Sequence, residues 1–283
     1  MVSCMKRFFL ILGLLLALPL AAVESETLAQ RTLRQIAERQ RTLLETAAKQ
    51  GDKLDEEAFR TQLQELTHSY ERLLYDSPNN AEVFAAYGYL LRKVDMRKQA
   101  AAMLLKANQL DSDIPLVKNQ LGNLLAEDGR PLDALPYFMA AIKLSPKEPL
   151  YHYQVGKLLH EAQEDYLKSG EWTRAALDHA THGAFKTAAE LAPDRFEFGY
   201  RYAESFYDLA EPQWDEALKV WAALEEKAGS PIERQTLRLH AANILLKQGH
   251  ADRAQLLLGT VTEPELQGQK QKLIAPPAET PKQ

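Results

Sequence analysis

Three histidines in the middle of the chain form the clearest combination of metal-ligating side chains. His179 and His182 are spaced i, i+3, so a helix would place them close together on its surface. A turn at Ser169-Gly170 would bring His160 opposite residue 180, close to both. Three acids of the same stretch, Glu161, Glu164 and Asp178, are expected nearby. Imidazoles and carboxylates are zinc ligands, so the spacing raises the hypothesis of a zinc site, although ordinary surface histidines are the simpler interpretation.

Enzymatic chemistry has little support in the sequence. The one cysteine, Cys4, precedes the first apolar run, so the chain beyond it has no thiol for a disulfide, a metal or nucleophilic attack. No phosphate-binding glycine loop or metalloprotease motif occurs. Glu56-Glu57 and Glu225-Glu226 fit solvated helix faces, and Gly249-His250 fits a turn between helices. Because no set of residues fills nucleophile, base and oxyanion roles together, we predict a non-catalytic protein without a cofactor.

The composition predicts an almost wholly helical fold. Only 8 Val and 7 Ile occur among 283 residues, whereas Ala, Leu, Glu, Gln, Lys and Arg are abundant. The first two residue types favour strands and the others favour helices. The net charge is −5 and the sequence contains no block of Lys or Arg, so we expect neither nucleic acid nor an anionic membrane as a partner.

The first 22 residues have the pattern of a secretory signal peptide. Lys6 and Arg7 precede an apolar run at 8–20, and small residues follow up to Ala22. The run is shorter than the roughly 20 apolar residues that a membrane-spanning helix needs. We therefore predict export to the periplasm or the medium, with cleavage after Ala22 and no stable membrane anchor afterwards. Retention of the leader stays open.

A period of 34 residues organises the middle of the chain. Gly88, Gly122 and Gly156 follow one another at this spacing. Other positions keep the same step: Ala100 with Ala134, Leu104 with Phe138, Ala107 with Ala141, and Pro78 with Ser112 and Pro146. Coincident positions at one period indicate a stack of similar units, each of which needs its neighbours to bury its apolar side.

These residues resemble the tetratricopeptide repeat. The fullest unit, from 115 to 148, carries Leu121-Gly122, Leu125, Gly129, Ala134, Phe138, Ala141 and Pro146. The resemblance implies an all-α fold, a right-handed α-solenoid of antiparallel helix pairs. It covers 54–260 in about five pairs, and a helix within 23–53 is expected to cap the N-terminal end. We expect 261–283, which is rich in Pro, Gln and Lys, to be disordered.

One unit is longer than the others. Residues 146–193 contain 13 residues more than the period, and the turn signal lies at Ser169-Gly170. We expect both helices of 149–193 to be about two turns longer and their hairpin to protrude from the stack. This elaboration is either functionally neutral or the working part of a metal-handling or enzyme-accessory protein.

The resemblance also implies a binding surface. In tetratricopeptide solenoids the second, fifth, ninth and twelfth positions of each first helix line the concave groove. Carried over residue by residue, this rule assigns binding to Tyr89, Arg92, Asn119, Asn123, Tyr153, Lys157, Tyr200, Glu204 and Tyr207. The remaining positions are Glu82, Ala85, Leu116, Ala126, Leu150, His160 and Glu197. The tyrosines suit a binding surface and equally suit packing between repeats. The amides of Asn119 and Asn123 could hold the backbone of an extended peptide.

The sequence therefore predicts an exported scaffold that binds a peptide or protein segment in a pre-formed groove, with the bacterial envelope as its setting. Chaperone-binding members of the family clamp a carboxylate with Lys and Arg, but Ala85, Tyr89 and Leu150 occupy three of those places here. A receptor for chaperone tails is therefore not expected. A self-associating structural protein is a further alternative, and a homo-oligomer is compatible with the sequence.

Overall fold

The computed structural model describes residues 26–274, which are predominantly α-helical. No strand occurs in this part of the chain, which confirms the predicted all-α class. None of the helices described is both long and apolar enough to cross a membrane. The leader assigned to residues 1–22 lies outside the described residues, and so do residues 275–283 of the expected disordered tail.

The chain divides into two compact units, with the boundary between Ser77 and Pro78. The first contains helix α1 (Leu28–Gln50), a short 3-10 turn at 51–53 and helix α2 (Glu56–Asp76), and the two helices pack against each other. The Tyr70 hydroxyl of α2 donates a 2.6 Å hydrogen bond to Gln40 of α1, and both side chains are buried. A satisfied polar pair therefore fixes how these two helices meet.

Five successive helix pairs make up the second unit. They are α3 (Ala81–Lys93) with α4 (Arg97–Leu110), α5 (Pro115–Glu127) with α6 (Pro131–Leu144), α7 (Pro149–Glu161) with α9 (Arg174–Leu191), α10 (Phe196–Ser205) with α11 (Trp214–Lys227), and α12 (Pro231–Lys247) with α13 (Ala251–Gly259). Two short helices complete the unit, α8 (Gln163–Ser169) and α14 (Gln267–Ile274). Each second helix also packs against the first helix that follows it, so the apolar core runs from pair to pair.

The glycines of the 34-residue period lie where the two helices of a pair come closest. A Cβ added to Gly88 would lie 2.8 Å from Leu104, and one added to Gly122 would lie 3.0 Å from Phe138. In the long unit the corresponding distance, from Gly156 to Phe185, would be 2.7 Å. These glycines are needed because the large side chain of the partner helix fills the space of a Cβ.

Left-handed residues make the turns inside the pairs. Asp95, Gly129 and Gly249 have φ values of 61°, 71° and 80° and occupy the same place in their repeats. In each turn the next amide donates to the carbonyl five residues back, at 2.8–2.9 Å, which closes the end of the first helix. The second helix then begins within two residues of the turn.

The long unit differs from the expected elongated hairpin. Helix α7 has 13 residues, the same as α3 and α5, so the first helix is not extended. The additional residues form the separate helix α8, and the left-handed turn residue is delayed to Gly170, whose φ is 76°. Only the second helix is longer, with 18 residues in α9 against 14 in α6. The added residues therefore lie on both sides of Gly170, in α8 before the turn and at the start of α9 after it.

Helix α8 folds back against the unit instead of projecting from it. Tyr166 is buried, and its hydroxyl donates a 2.7 Å hydrogen bond to the carbonyl of Pro131 at the start of α6. The ring of Trp172 meets that of Tyr166 edge to face, with 5.9 Å between their centroids. Burial of these rings holds α8 against α6 and α9, and the expected protruding hairpin is wrong for this reason.

Residues 261–274 differ from the expected disordered tail. A 3-10 turn at Pro264–Leu266 and helix α14 follow α13, and Val261 and Leu266 are buried with residues of α12 and α13. The Gln235 side chain of α12 accepts hydrogen bonds from the amides of Thr262 and Glu263 at 2.6 and 2.8 Å. The segment is polar overall, so its composition did not reveal that Val261 and Leu266 would be buried. These two residues pack the segment against the last helix pair as a cap.

Candidate functional site

The predicted groove positions separate into a buried set and an exposed set. At the fifth position, Ala85, Asn119 and Tyr153 are only 3%, 1% and 7% exposed. At the ninth position, Tyr89, Asn123, Lys157 and Glu204 all retain contact with solvent. The next pair covers the fifth position, because the Tyr153 ring packs on Phe198 of α10 with 4.7 Å between centroids. The accessible surface therefore follows the second, ninth and twelfth positions, and we call the side chains at these positions the open row.

Tyr153 is a core residue and not an open groove residue. Its ring also packs on Phe185, and its hydroxyl donates to the Glu197 carboxylate at the start of α10. Burial and this carboxylate raise the pKa of Tyr153 to about 12. The expected exposed tyrosine at this position is therefore wrong, because the following helix pair has closed over it.

Asn119 is equally inaccessible. The side chain is 1% exposed, and its Oδ1 has no hydrogen-bond partner among the described residues. The predicted pair of peptide-binding amides, Asn119 and Asn123, is therefore not formed on the surface. Asn123, one turn further along α5, reaches the open face alone.

Two of the predicted tyrosines belong to an aromatic cluster between α10, α11 and α12. Tyr200 and Tyr207 are half-buried, and the Tyr200 hydroxyl lies 3.2 Å from His240 Nε2. Trp221 stacks on His240 with 4.2 Å between centroids. The Tyr207 hydroxyl donates a 3.2 Å hydrogen bond to the His240 carbonyl, and burial raises the pKa of Tyr207 to about 12. These contacts favour the alternative of packing between repeats for both tyrosines.

Charged side chains on the open row pair with close neighbours. Lys93 lies over the ring of Tyr89, 5.4 Å from its centroid. Arg201 donates a 2.9 Å hydrogen bond to Glu204. The row carries charges of both signs, basic at Arg92 and Lys157 and acidic at Glu204, which suits a partner held by local contacts more than one attracted by a large field.

A pocket of about 160 Å³ lies in this row between α5 and α7. Its apolar floor consists of Ala126, Phe138 and Leu158. Its polar rim consists of Asn123, Glu127, Gln154, Lys157 and Glu161. The structure thus brings together Asn123, Ala126 and Lys157, three of the residues that the groove rule selected.

Gln154 is a rim residue that the sequence analysis missed. It occupies the sixth position of α7, which the groove rule does not include. Neither the Gln154 amide nor that of Asn123 forms a side-chain hydrogen bond with the described part of the chain. Two amides on neighbouring first helices are therefore available to a ligand, in place of the expected two amides on α5.

The structure does not bring the three histidines together. His182 packs between Tyr202 and Phe206, its Nδ1 lies 2.9 Å from Ser205 Oγ, and burial lowers its pKa to about 4. His160 instead faces Asp208, with 3.8 Å between Nδ1 and Oδ2, and His179 is exposed. Residues 26–274 contain no cluster of three or more His, Cys, Asp or Glu suited to a metal ion. The zinc hypothesis is wrong for these residues because α10 sequesters His182.

Comparison with known proteins supports the repeat assignment. No family model matches the chain. Over 127 residues the chain is 31% identical to a TPR repeat-containing protein of Treponema pallidum (strain Nichols), a match that covers 45% of this chain and 16% of that protein. The chain thus spans about a sixth of the length of this relative.

Solved structures have the same fold at low identity. YrrB, described as a TPR protein with an unusual peptide-binding site, has a TM-score of 0.56 at 18% identity, over 68% of this chain and 90% of its own. PilF of Pseudomonas aeruginosa has a TM-score of 0.55 at 16% identity, over 85% and 100%. PilW, described as a type IV pilus biogenesis factor, has a TM-score of 0.53 at 14% identity, over 85% and 99%. The 34-residue period, the paired helices and these likenesses together show that the chain has the fold of tetratricopeptide repeat proteins.

Proposed function

We propose that the exposed row of the first helices binds an extended segment of a partner protein, and that the chain is a non-catalytic scaffold. The observation that carries this proposal is the open pocket between α5 and α7, where Asn123 and Gln154 offer amides that the described residues leave unbonded. A primary amide donates to a peptide carbonyl and accepts from a peptide N–H. Two such groups on neighbouring helices can therefore hold a backbone, while the floor beneath them buries a side chain.

The fold supports this role on energetic grounds. The helix pairs are fixed by buried contacts such as Gly122 on Phe138, so the surface exists before a ligand arrives. A pre-formed surface avoids most of the ordering cost that binding otherwise incurs. The description of YrrB as a protein with a peptide-binding site is consistent with this use of the fold.

We further propose that binding occurs outside the cytoplasm. Lys6, Arg7 and the apolar run at 8–20 have the order of a signal peptide, and small residues follow at 21–22. Intact-mass measurement of protein recovered from an envelope fraction tests this directly. A mature chain starting near Val23 is expected, and protein found only in the cytoplasm with Met1 retained would contradict export.

Binding itself can be tested without knowing the natural partner. The purified protein is used to select from a random heptapeptide library displayed on phage, and the selected peptides are synthesised for fluorescence polarisation. Asn123→Ala and Gln154→Ala should each weaken binding by about 1 kcal/mol, the typical contribution of one hydrogen bond. The melting temperature should stay unchanged, because both side chains face solvent at the pocket rim.

Lys143→Ala is the matched control. Lys143 is exposed near the end of the second helix α6 and is absent from the pocket, so its loss should leave affinity unchanged. Failure to select any peptide, or equal affinities for the parent and both amide variants, would contradict the proposal. If only Lys143→Ala weakened peptide binding, the binding surface would lie on the second helices.

A further inference from the structure

A cross-repeat contact between a nitrogen-bearing side chain and an acid recurs along the open row. The twelfth residue of one first helix meets the thirteenth residue of the next. Between α3 and α5, Arg92 Nη2 lies 2.6 Å from Glu127 Oε1. In the turn after α10, at the thirteenth position counted from Phe196, Asp208 lies 3.8 Å from His160 of α7, measured from Oδ2 to Nδ1. A guanidinium at the first of three successive junctions and an imidazole at the third thus each face an acid.

The middle junction, between α5 and α7, has the acid but not the base. Its thirteenth residue is Glu161, which corresponds to Glu127 one period earlier. Its twelfth residue is Ala126, which stands where α3 has Arg92. The pocket of about 160 Å³ opens at this junction and is lined by both Ala126 and Glu161. The missing side chain and the open space therefore coincide.

The preceding junction shows what such a space can hold. There the Arg92 side chain is only 19% exposed, and its guanidinium donates to Glu127. One period before the pocket-lining residues Phe138, Gln154 and Leu158, the sequence has Leu104, Gln120 and Leu124. A cavity of roughly 150 Å³ accommodates a group as large as benzene, so one long side chain is a suitable occupant.

We propose that this pocket receives an arginine side chain from the bound segment, with its guanidinium donating to Glu161 and its stem lying on Phe138 and Leu158. The inference rests on the proposed peptide-binding function and specifies its ligand. Arginine is favoured over lysine because a planar guanidinium can donate two parallel hydrogen bonds to a carboxylate and can stack on an aromatic ring. The ligand would thus complete the row of cross-repeat pairs.

The two acids at the rim are not equivalent. Glu127 is already bonded to Arg92 and has Arg97 at 3.6 Å, so its charge is balanced within the protein. Within residues 26–274, Glu161 is paired only with Lys157, one turn away on the same helix, at 3.9 Å, and both side chains are about half exposed. Such a loose pair is readily exchanged for a charge-assisted hydrogen bond from a buried guanidinium. Glu161 is therefore the acid available to a ligand.

The first test supplies the arginine from the protein itself. Ala126→Arg places the side chain of Arg92 one period later, next to Glu161. We expect a rise in melting temperature of about 2 °C or more, the scale of one net stabilising contact in a domain of this size. The rise should be lost in the double variant with Glu161→Gln. Ala126→Met fills the same space without a charge and should show no dependence on Glu161.

The second test uses peptides selected from the heptapeptide library on the parent protein. We expect arginine to be enriched, and replacement of that arginine by glutamine to weaken binding about tenfold. Ala126→Arg should abolish binding, and Glu161→Gln should reproduce the tenfold loss. Selected peptides without arginine that bind the parent and Ala126→Arg equally would overturn the inference.

The outcomes also separate this inference from the function on which it rests. If peptide binding depended on Asn123 and Gln154 but was unaffected by Ala126→Arg, the proposed peptide-binding function would hold and the arginine pocket would be contradicted. Absence of any selected peptide would overturn both. A stabilisation by Ala126→Arg that persists with Glu161→Gln would show filling of space alone, which contradicts the guanidinium site.

Discussion

Gly156 of α7 lies directly against the ring of Phe185 in α9, so closely that a Cβ would stand 2.7 Å from the ring. Phe185 is buried at the centre of the long unit, where the core clusters on either side meet. This contact is the counterpart of Gly122 on Phe138 in the preceding pair. The long unit has therefore kept the central contact of the repeat despite its insertion.

Gly156→Ala should destabilise the protein, whereas Gly183→Ala should stabilise it. Both glycines are helical, so alanine improves the helix preference by about 0.5–1 kcal/mol in each case. A Cβ at Gly183 meets nothing within 4 Å, but the one at Gly156 must displace a buried ring at a cost of about 1–3 kcal/mol. Urea unfolding midpoints measure the difference. Equal shifts for the two variants would mean that the helices of this pair are not in contact at Gly156.

Tyr153→Ala should lower the free energy of unfolding by about 3–5 kcal/mol, because it removes a buried ring. Tyr153→Phe keeps the ring and loses the hydrogen bond to Glu197, so we expect a loss of about 1 kcal/mol. Lys157→Ala, one turn further along and exposed, is the control and should be nearly neutral. A Tyr153→Ala variant as stable as the parent would mean that Tyr153 is exposed in the groove and not buried.

Stability should fall as the pH drops from 6.5 towards 4, partly because of His182. Burial lowers the pKa of His182 in the folded state to about 4, so the unfolded chain binds more protons in this window. Unfolding then takes up a proton, and acid favours it. His182→Asn can retain a bond to Ser205 without titrating, and should flatten a plot of melting temperature against pH. His179→Asn, exposed on the same helix, should change the slope much less, because burial is the main cause of the lowered pKa of His182 and His179 is a minor one.

Tyr166→Ala should release α8 from the unit. Its ring is buried and its hydroxyl is bonded to the Pro131 carbonyl, so both packing and a hydrogen bond are lost. We expect destabilisation by about 3–5 kcal/mol and faster proteolysis within 162–173. Tyr75→Ala serves as the control, since Tyr75 is 87% exposed. Unchanged cleavage in the Tyr166 variant would mean that α8 is held by other contacts.

Leu266→Ala should expose the end of the last pair. Leu266 is buried with Val261 and residues of α12, whereas Ile274 is 53% exposed at the end of α14. Large-to-small changes in a core cost about 2–5 kcal/mol, so Leu266→Ala should be clearly destabilising and Ile274→Ala almost neutral. Hydrogen exchange at residues 261–274 would report the change. Fast exchange there in the parent protein would contradict an ordered cap.

The sequence predicted the helical class and the repeat because both depend on local composition and on a period that Gly88, Gly122 and Gly156 mark clearly. It failed at Tyr153 and Asn119 because a rule for one helix does not include the next helix pair that covers its fifth position. It also failed at Gln154, which becomes a rim residue only where two first helices meet. Residue spacing therefore could not predict the contacts between neighbouring helix pairs.

Helix α8 was misjudged for a related reason. Nothing in residues 150–168 breaks a helix strongly, so a continuous long helix was the natural expectation. Helix α7 ends at Glu161, the repeat position at which α3 and α5 also end. Burial of Tyr166 against α6 favours the break at this point. Tertiary packing overrode the local preference for continued helix.

The place of this insertion has a consequence for how the protein can vary. The added residues begin after α7 has ended at its usual length, and Gly156 still meets Phe185. Residues can therefore be inserted or deleted after Glu161 without changing the register of the first helices. Changes of chain length after Glu161 therefore leave the side chains of the open row in place, so homologues can differ in length here and keep the same exposed surface.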